Sequence, residues 1–158
     1  MKVEVAETDA HIRSCYPVMR ELRPHLQLAA FIDIVKQLQK DGYILAFLEH
    51  SGEVVSVAGF RIMHALFCDS FLYVDDLVTL DTERSKGYGK VLLEWLKTRA
   101  LEEGCAELHL DSAFHRKDSH RFYERNGVPS SGYRFRAVLE KREPWNQIKG
   151  IDSHPGDA

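Results

Sequence analysis

The fold of this chain is decided by the stretch Val78-Thr79-Leu80-Asp81-Thr82-Glu83-Arg84-Ser85-Lys86-Gly87-Tyr88-Gly89-Lys90, which runs from a strand through a turn into a helix. The apolar run at 71–80 predicts a buried strand, and the polar residues 81–86 predict a turn. Apolar residues then recur at helical spacing over 87–103, and Gly104 stands where a helix stop belongs. A second strand pattern follows at 106–110, so we expect the helix to join two parallel strands.

Strand and helix patterns alternate outward from this unit in both directions. The predicted strands are 2–8, 43–49, 54–65 and 133–140, and the predicted helices are 9–22, 27–40 and 118–126. The turn at 50–53 makes the segment 43–65 a hairpin, which is an antiparallel pair. This order predicts a single α/β (α+β) domain, with a mixed central sheet of about six to seven strands and helices on both faces.

Composition and charge narrow the class of protein. The 158 residues suit one domain, and the formal net charge of −3 gives no overall basic field for nucleic acid or an anionic membrane. No apolar run approaches the roughly 20 residues that a membrane span requires. Three cysteines without paired spacing indicate a reduced compartment. We therefore expect a cytoplasmic protein with no nucleic-acid partner and no membrane association.

The glycine turn before the central helix is a candidate site for a phosphate group. A helix N-terminus presents backbone N–H groups without intrahelical partners, together with the positive end of the macrodipole. Gly87 and Gly89 let a ligand approach the backbone, while Arg84, Lys86 and Lys90 add positive charge. The letters match neither a Walker A loop nor a GxGxxG dinucleotide fingerprint. The alternative is an ordinary helix start with a solvated basic face.

Two segments carry a resemblance to a known family. Arg84-x-x-Gly87-x-Gly89 resembles the [RQ]-x-x-G-x-[GA] motif of the GNAT superfamily of N-acetyltransferases, and residues 73–79 are similar to the strand that precedes that motif. The run DSHRFYERNG at 118–127 resembles the later A-x-x-[FL]-Y-x-x-x-G helix. The resemblance covers roughly residues 40–140 and departs from the family pattern at Arg116, where an asparagine is common.

The resemblance implies a GNAT-like fold and an acyl-CoA-dependent N-acetyltransferase with acetyl-CoA as co-substrate. It implies a diphosphate on the turn amides, a pantetheine arm along the preceding strand, and strand amides that stabilise the acetyl oxygen. Tyr123 matches the family tyrosine that protonates the leaving thiolate. The implied co-substrate contacts are Leu77, Val78, Thr79, Arg84, Ser85, Lys86, Gly87, Tyr88, Gly89 and Lys90.

The reaction also needs a base, because a lysine-like amine with a pKa of about 10.4 arrives protonated. Asp75 and Asp76 interrupt an apolar strand, and alternation predicts opposite faces for them, with Asp76 on the face of Val74 and Val78. Asp111 ends the next strand. Asp76 and Asp111 are the main candidate bases, ahead of Asp75, and a salt-bridged structural role is the alternative for each. These carboxylates favour a cationic acceptor.

The histidines and cysteines are predicted to hold neither a metal ion nor a covalent intermediate. The spacing of His109, His115 and His120 matches no standard zinc pattern, so we expect no metal site. His115 or His120 is a candidate auxiliary base, since the pKa of an unperturbed histidine is about 6.5. Cys68 and Cys105 lack an activating base, which disfavours a covalent acetyl-cysteine route.

The expected function is transfer of an acetyl group from acetyl-CoA to a primary amine by direct attack in a ternary complex. The alternative is a non-catalytic module that senses or scaffolds acyl-CoA, because a fold does not fix a function. Residues 1–140 are expected to form the domain, and 141–158 to form a C-terminal tail that could support a homodimer. Specificity for a small-molecule or peptide amine is expected in 9–40, 64–70 and 128–132.

Overall fold

Five strands and four α-helices make up residues 1–140, the part of the chain that the structure, a computed structural model, describes. The strands are β1 (Lys2–Val5), β2 (Ile44–His50), β3 (Glu53–Ala65), β4 (Asp69–Thr79) and β5 (Glu107–Leu110). The helices are α1 (Asp9–Leu22), α2 (Leu28–Lys40), α3 (Tyr88–Glu102) and α4 (Lys117–Arg125), and a 3-10 turn spans Asp81–Glu83. No helix within residues 1–140 is long and apolar enough to cross a bilayer. The predicted tail, 141–158, lies outside the described residues.

The strands form one mixed sheet in the order β1-β2-β3-β4-β5. The first three pairings are antiparallel, and β5 lies parallel to β4 because α3 crosses between them. The mixed sheet and the parallel crossover predicted from the sequence are therefore confirmed.

The sheet of the described residues has five strands, fewer than the six to seven predicted. The predicted strand at 133–140 is wrong: these residues form no strand, and all of them are exposed. The apolar side chains of Tyr133, Phe135 and Leu139 explain the prediction, since their spacing resembles strand alternation. A strand must also pair its backbone groups with a neighbouring edge, and within residues 1–140 this segment is paired with none.

Two apolar clusters lie on opposite faces of the sheet and divide the helices between them. Alternation along β2 sends Leu45 and Phe47 toward α1 and α2, whereas Ala46 points toward Leu92 and Leu96 of α3. Each fully buried leucine or phenylalanine side chain stabilises the fold by about 1.5–3 kcal/mol relative to an exposed one. Helices on both faces, as predicted, follow from this alternation.

The end of α1 places a charged side chain beside the central strands. Thr8 caps the start of α1 by accepting a hydrogen bond from the His11 backbone N–H at 3.2 Å. The helix ends at Leu22, two residues before Pro24, as the proline predicts. The N–H of Arg23 closes the last turn on the Met19 carbonyl, 2.9 Å away, which leaves the Arg23 side chain directed at β4.

Candidate active site

The turn between β4 and α3 is built from left-handed backbone conformations. Ser85 has φ 64° and Gly87 has φ 89°, and Gly87 is the N-cap residue of α3. A Cβ built on Gly87 meets nothing within 4 Å, so the glycine serves the backbone conformation and leaves the space above it open. No side chain within residues 1–140 caps this helix start.

Six consecutive backbone N–H groups of this turn, those of residues 85–90, donate to no acceptor within residues 1–140. The first helical hydrogen bond comes only at Val91, whose N–H donates to the Gly87 carbonyl at 3.1 Å. Unpaired donors at the positive end of a helix dipole attract anions. The turn therefore has the geometry of the predicted phosphate cradle, and we call residues 85–90 the amide cradle.

The cations predicted to support the cradle are mostly paired with nearby acids. Arg84 forms an ion pair with Asp81 at 2.5 Å, and Lys86 forms one with Glu83 at 3.0 Å. Lys90 is exposed and has no ion pair within residues 1–140. The backbone donors, rather than formal charges, therefore distinguish this turn from other exposed segments.

Tyr88, predicted as a co-substrate contact, has a buried side chain that packs beneath the turn. It is 7% exposed and packs with Leu48 and Val55, and its ring centroid lies 5.3 Å from that of His50. Only its backbone N–H belongs to the amide cradle. The side chain instead anchors the start of α3 to the hairpin β2–β3.

β4 and β5 separate beside the cradle. Their parallel ladder ends at the pair Val74 and Leu110, so the rest of β4 has no partner on that side among the described residues. On the other side, β3 pairs with Leu77, Val78 and Thr79. The three residues predicted to hold the pantetheine arm therefore have one free backbone edge, which an extended ligand can pair with.

A β-bulge at Asp75 corrects the predicted orientation of the two strand carboxylates. Gly59 of β3 pairs with Asp76 and the next residue, Phe60, pairs with Val74, so Asp75 is an additional residue in β4. Val74 consequently packs with the α3 cluster, whereas Val78 packs with the α1–α2 cluster. The predicted shared face of Asp76 with Val74 is wrong. Both Asp75 and Asp76 line one cavity, where alternation had predicted opposite faces.

Asp76 is held by two donors from different elements. Its Oδ1 accepts from Arg23 at 2.8 Å, and its Oδ2 accepts from the Tyr43 hydroxyl at 2.9 Å. Burial, followed by the charge and hydrogen bond of Asp76, raises the pKa of Tyr43 well above its ordinary value, so this phenol remains a donor. Gly59 makes room for the Tyr43 ring: a Cβ there lies 1.9 Å from the Tyr43 Oη.

Asp75 forms an ion pair with an arginine from β3. Arg61 of β3 donates from Nε to Asp75 Oδ2 at 3.0 Å. Burial raises the pKa of Asp75, and the Arg61 charge and hydrogen bond partly offset this shift. The paired arginines provide the salt-bridged environment that the sequence left as the alternative for these aspartates.

Asp111 lies at the rim, where β5 ends. It accepts a short hydrogen bond from the Tyr73 hydroxyl, and Arg134 lies 3.6 Å away. Burial and the neighbouring Asp111 carboxylate raise the pKa of Tyr73 to about 12. Asp111 is exposed, so of the two main candidate bases it has the freer access to solvent.

Tyr123 is carried by α4, which packs beside the amide cradle. The neighbouring Phe122 comes within 3.5 Å of the position that a Cβ on Gly89 would occupy. Tyr123 is partly buried, and this burial raises its pKa, against a smaller lowering by the Arg116 charge. A phenol protonated at neutral pH is the state that an acid needs.

A cavity of about 420 Å³ opens between α1, α2 and the bulged part of β4. Its polar lining includes Arg23, Tyr43, Arg61, Tyr73, Arg134 and Arg136. None of these six side chains has an individual role predicted from the sequence, although Arg23 lies in the segment 9–40 that was expected to hold specificity. The pair Asp75-Asp76 within an apolar strand was the available signal, because buried carboxylates require cationic or hydroxyl partners.

The remaining histidine and cysteine candidates lie apart from this cavity. His120 bonds to the Ala113 carbonyl at 2.9 Å, and His109 stacks on Phe71 with ring centroids 4.3 Å apart. Within residues 1–140 no three metal-ligating side chains are grouped as a metal would require. Cys105 is buried in the α3 cluster, in agreement with a packing role.

Comparison with known proteins identifies the family. The family model for acetyltransferases of the GNAT family matches residues 6–128. The chain is 34% identical over 123 residues to the uncharacterized N-acetyltransferase YhdJ of Bacillus subtilis, covering 77% of this chain and 87% of the relative. The chain belongs to the GNAT superfamily of N-acetyltransferases. The resemblance found in its motifs is thereby confirmed.

Two further proteins are similar to this chain over part of its sequence or in fold. The aminoalkylphosphonate N-acetyltransferase of Salmonella typhimurium is 31% identical over 90 residues, which is 56% of this chain and 58% of that protein. The solved aminoglycoside N-acetyltransferase AAC(6')-Iy in complex with CoA has a TM-score of 0.72 at 16% identity, covering 90% of this chain and 96% of that chain. At this identity the structural likeness shows the fold alone.

Proposed function

We propose that this GNAT protein transfers the acetyl group of acetyl-CoA to a primary amine by direct attack in a ternary complex. One observation carries the proposal: six consecutive amides at the start of α3, which donate to no acceptor among residues 1–140, lie next to the edge of β4 that no described strand occupies. The cradle suits a diphosphate, and the free edge suits the amide groups of the pantetheine arm. Relatives named as N-acetyltransferases and a neighbour solved with CoA support this co-substrate.

In the proposed reaction the protonated amine first loses one proton to the base, its nitrogen forms a bond to the acetyl carbon, and the carbon–sulfur bond breaks. The nitrogen then releases its second proton, which restores the Tyr123 phenol after that phenol has protonated the sulfur. Backbone N–H groups on the free edge of β4 stabilise the developing oxyanion. Tyr123 donates its phenolic proton to the leaving sulfur. Asp111, which is exposed at the rim, is the base that the geometry favours, because both oxygens of Asp76 are occupied by Arg23 and Tyr43.

A thiol-release assay tests the proposal. Purified protein is incubated with acetyl-CoA and a panel of primary amines, and free CoA thiol is measured. We expect release above background with at least one amine. Calorimetric binding of CoA together with background release for every amine would instead favour the sensor or scaffold module. Absence of CoA binding would overturn both functions.

The acceptor in this proposal is a small primary amine. Relatives named for aminoalkylphosphonates and aminoglycosides support that class, and the cavity volume of about 420 Å³ suits a small molecule. We place the reaction in the cytoplasm, where the three unpaired cysteines would remain reduced.

We also propose a homodimer, since Tyr133, Phe135, Val138 and Leu139 expose 68–94% of their surface along a segment that pairs with no strand of the described sheet. The free edge of β5 in a second copy offers that segment a pairing partner. Sedimentation of the full chain measures the association state. A monomer at all concentrations would contradict the dimer without affecting the acetyl transfer.

A further inference from the structure

The cavity has an excess of cationic side chains that acetyl transfer to a simple amine does not require. Four arginines, Arg23, Arg61, Arg134 and Arg136, line it together with the two carboxylates of Asp75 and Asp76. Arg23 pairs with Asp76 and Arg61 pairs with Asp75, so both carboxylates are already neutralised. The sequence suggested a cleft that attracts cations; these pairs offset the charges of Asp75 and Asp76 and leave Asp111 at the rim as the carboxylate on which that expectation still depends.

The remaining two arginines lie on the segment that follows α4. Arg134 and Arg136 are two residues apart and both line the cavity. Arg134 approaches only the rim carboxylate of Asp111, at 3.6 Å, and Arg136 has no ion pair within residues 1–140. Two guanidinium groups can each present two parallel N–H donors to a carboxylate or a phosphonate.

We propose that the acceptor is a small primary amine that also carries an anionic group, a carboxylate or a phosphonate, which Arg134 and Arg136 bind; the proposal rests on the acetyl transfer proposed above. The anion then lies at the side of the cavity formed by the segment after α4, near Asp111, and directs the amine toward the free edge of β4. An anion fixed by two guanidinium groups supplies the orientation that direct attack requires, and Arg134 places it within reach of the proposed base, Asp111.

Matched amines test this assignment in the thiol-release assay. 2-Aminoethylphosphonate is compared with its neutral diethyl ester, and β-alanine with β-alanine amide, while 1,4-diaminobutane represents a dication. We expect kcat/KM for the anionic member of at least one pair to exceed that of its neutral partner by about tenfold or more. The pair with the larger ratio distinguishes phosphonate from carboxylate. Equal values within both pairs, or a preference for the diamine, would overturn the proposal.

Variants assign the preference to the two arginines. Arg136→Gln and Arg134→Gln should lower the ratio of anionic to neutral kcat/KM, mainly by raising KM for the anionic amine. Arg13→Gln, an exposed arginine on α1 outside the cavity lining, is the matched control and should keep the ratio. A ratio that survives in both cavity variants would overturn the assignment.

Failure of the acetyl transfer remains distinguishable from failure of this inference. If no amine releases thiol, the proposed function is wrong, and calorimetry with 2-aminoethylphosphonate and β-alanine in the presence of CoA then decides the inference. A heat of binding for either amine that is lost in Arg136→Gln but retained in Arg13→Gln would support binding of the anion by the cavity arginines. Absence of heat with both amines would overturn it.

Discussion

Tyr123 is the side chain whose ionisation the proposed reaction depends on most directly. Tyr123→Phe removes the phenol that is proposed to protonate the leaving sulfur, so we expect turnover to fall by about 100-fold. CoA affinity should change little, because only one oxygen is lost from a partly buried site. Tyr133→Phe, at a ring 77% exposed, is the control and should behave like the unmodified chain. Steady-state kinetics and calorimetry with CoA measure the two effects. Undiminished turnover would exclude the acid role.

The pH profile provides a second readout for Tyr123. Burial raises its pKa above the ordinary value of 10.0, so the protonated acid persists to higher pH than in an exposed tyrosine. Activity should therefore show no loss from Tyr123 ionisation until the pH exceeds about 10. A loss centred at neutral pH that Tyr123→Phe abolishes would contradict this expectation.

Gly59 tests the packing that supports the paired aspartates. Its Cβ in an alanine variant would lie 1.9 Å from the Tyr43 Oη and 2.3 Å from Cζ, so the ring must move and lose its bond to Asp76. We expect Gly59→Ala to lower the free energy of unfolding by about 1–3 kcal/mol in urea titrations. Gly132→Ala, which meets nothing within 4 Å, should change it little. Equal free energies of unfolding for Gly59→Ala and the unmodified chain would contradict the prediction, because they would show that the Tyr43 ring moves without loss of stability.

At the scale of elements, the glycines at the two ends of α3 allow a controlled comparison of two alanine variants. Gly87 at φ 89° precedes the helix and Gly104 at φ 75° follows it, and a Cβ on either meets nothing within 4 Å. Alanine at each position should cost about 1–2 kcal/mol of folding stability, because both backbones are left-handed. Only Gly87→Ala should also weaken CoA binding in calorimetry, since its methyl group projects from the amide cradle. Equal CoA affinity in the two variants would place the diphosphate elsewhere.

At the scale of the whole molecule, buried groups with raised pKa values make stability depend on alkaline pH. Burial raises the pKa of Cys15 from 9.0 to about 12, and burial with Asp111 raises that of Tyr73 from 10.0 to about 12. At a pH between the ordinary and the raised pKa of such a group, the folded state binds more protons than the unfolded state. The free energy of unfolding therefore falls as the pH rises through this range. The buried Cys15 contributes a slope of about 1.4 kcal/mol per pH unit between its two pKa values and none below about pH 8, and the partly exposed Tyr73 contributes a smaller slope because solvent screens it.

Urea titrations between pH 8 and pH 11 measure this slope. Cys15→Ala should make the slope shallower, and Asp111→Asn should do the same by bringing the pKa of Tyr73 back toward 10.0. The two changes should add, since Cys15 lies in the α1–α2 cluster and Asp111 at the rim. A stability that does not vary over this range would contradict the predicted linkage.

Local signals in the sequence determined most of the elements and the cradle. The predicted helix 9–22 matches α1 residue for residue in its bounds, and the spacing of Gly87 and Gly89 after an apolar strand located the turn whose amides are unpaired. These features depend on capping, periodicity and glycine conformations within a few residues, so the letters suffice to predict them. The two family motifs, at 84–89 and 118–127, are likewise short segments that can be recognised without the tertiary structure.

Only the tertiary structure decided how the site is charged and how many strands the described sheet has. The extra residue at Asp75 is a mismatch between two strands, and neither strand reveals it alone. Arg23, Arg61 and Arg134 reach the aspartates from three distant segments, so their pairing depends on long-range packing. The segment 133–140 alternates like a strand but lacks an edge to pair with among the described residues, and no local pattern encodes the presence of a partner.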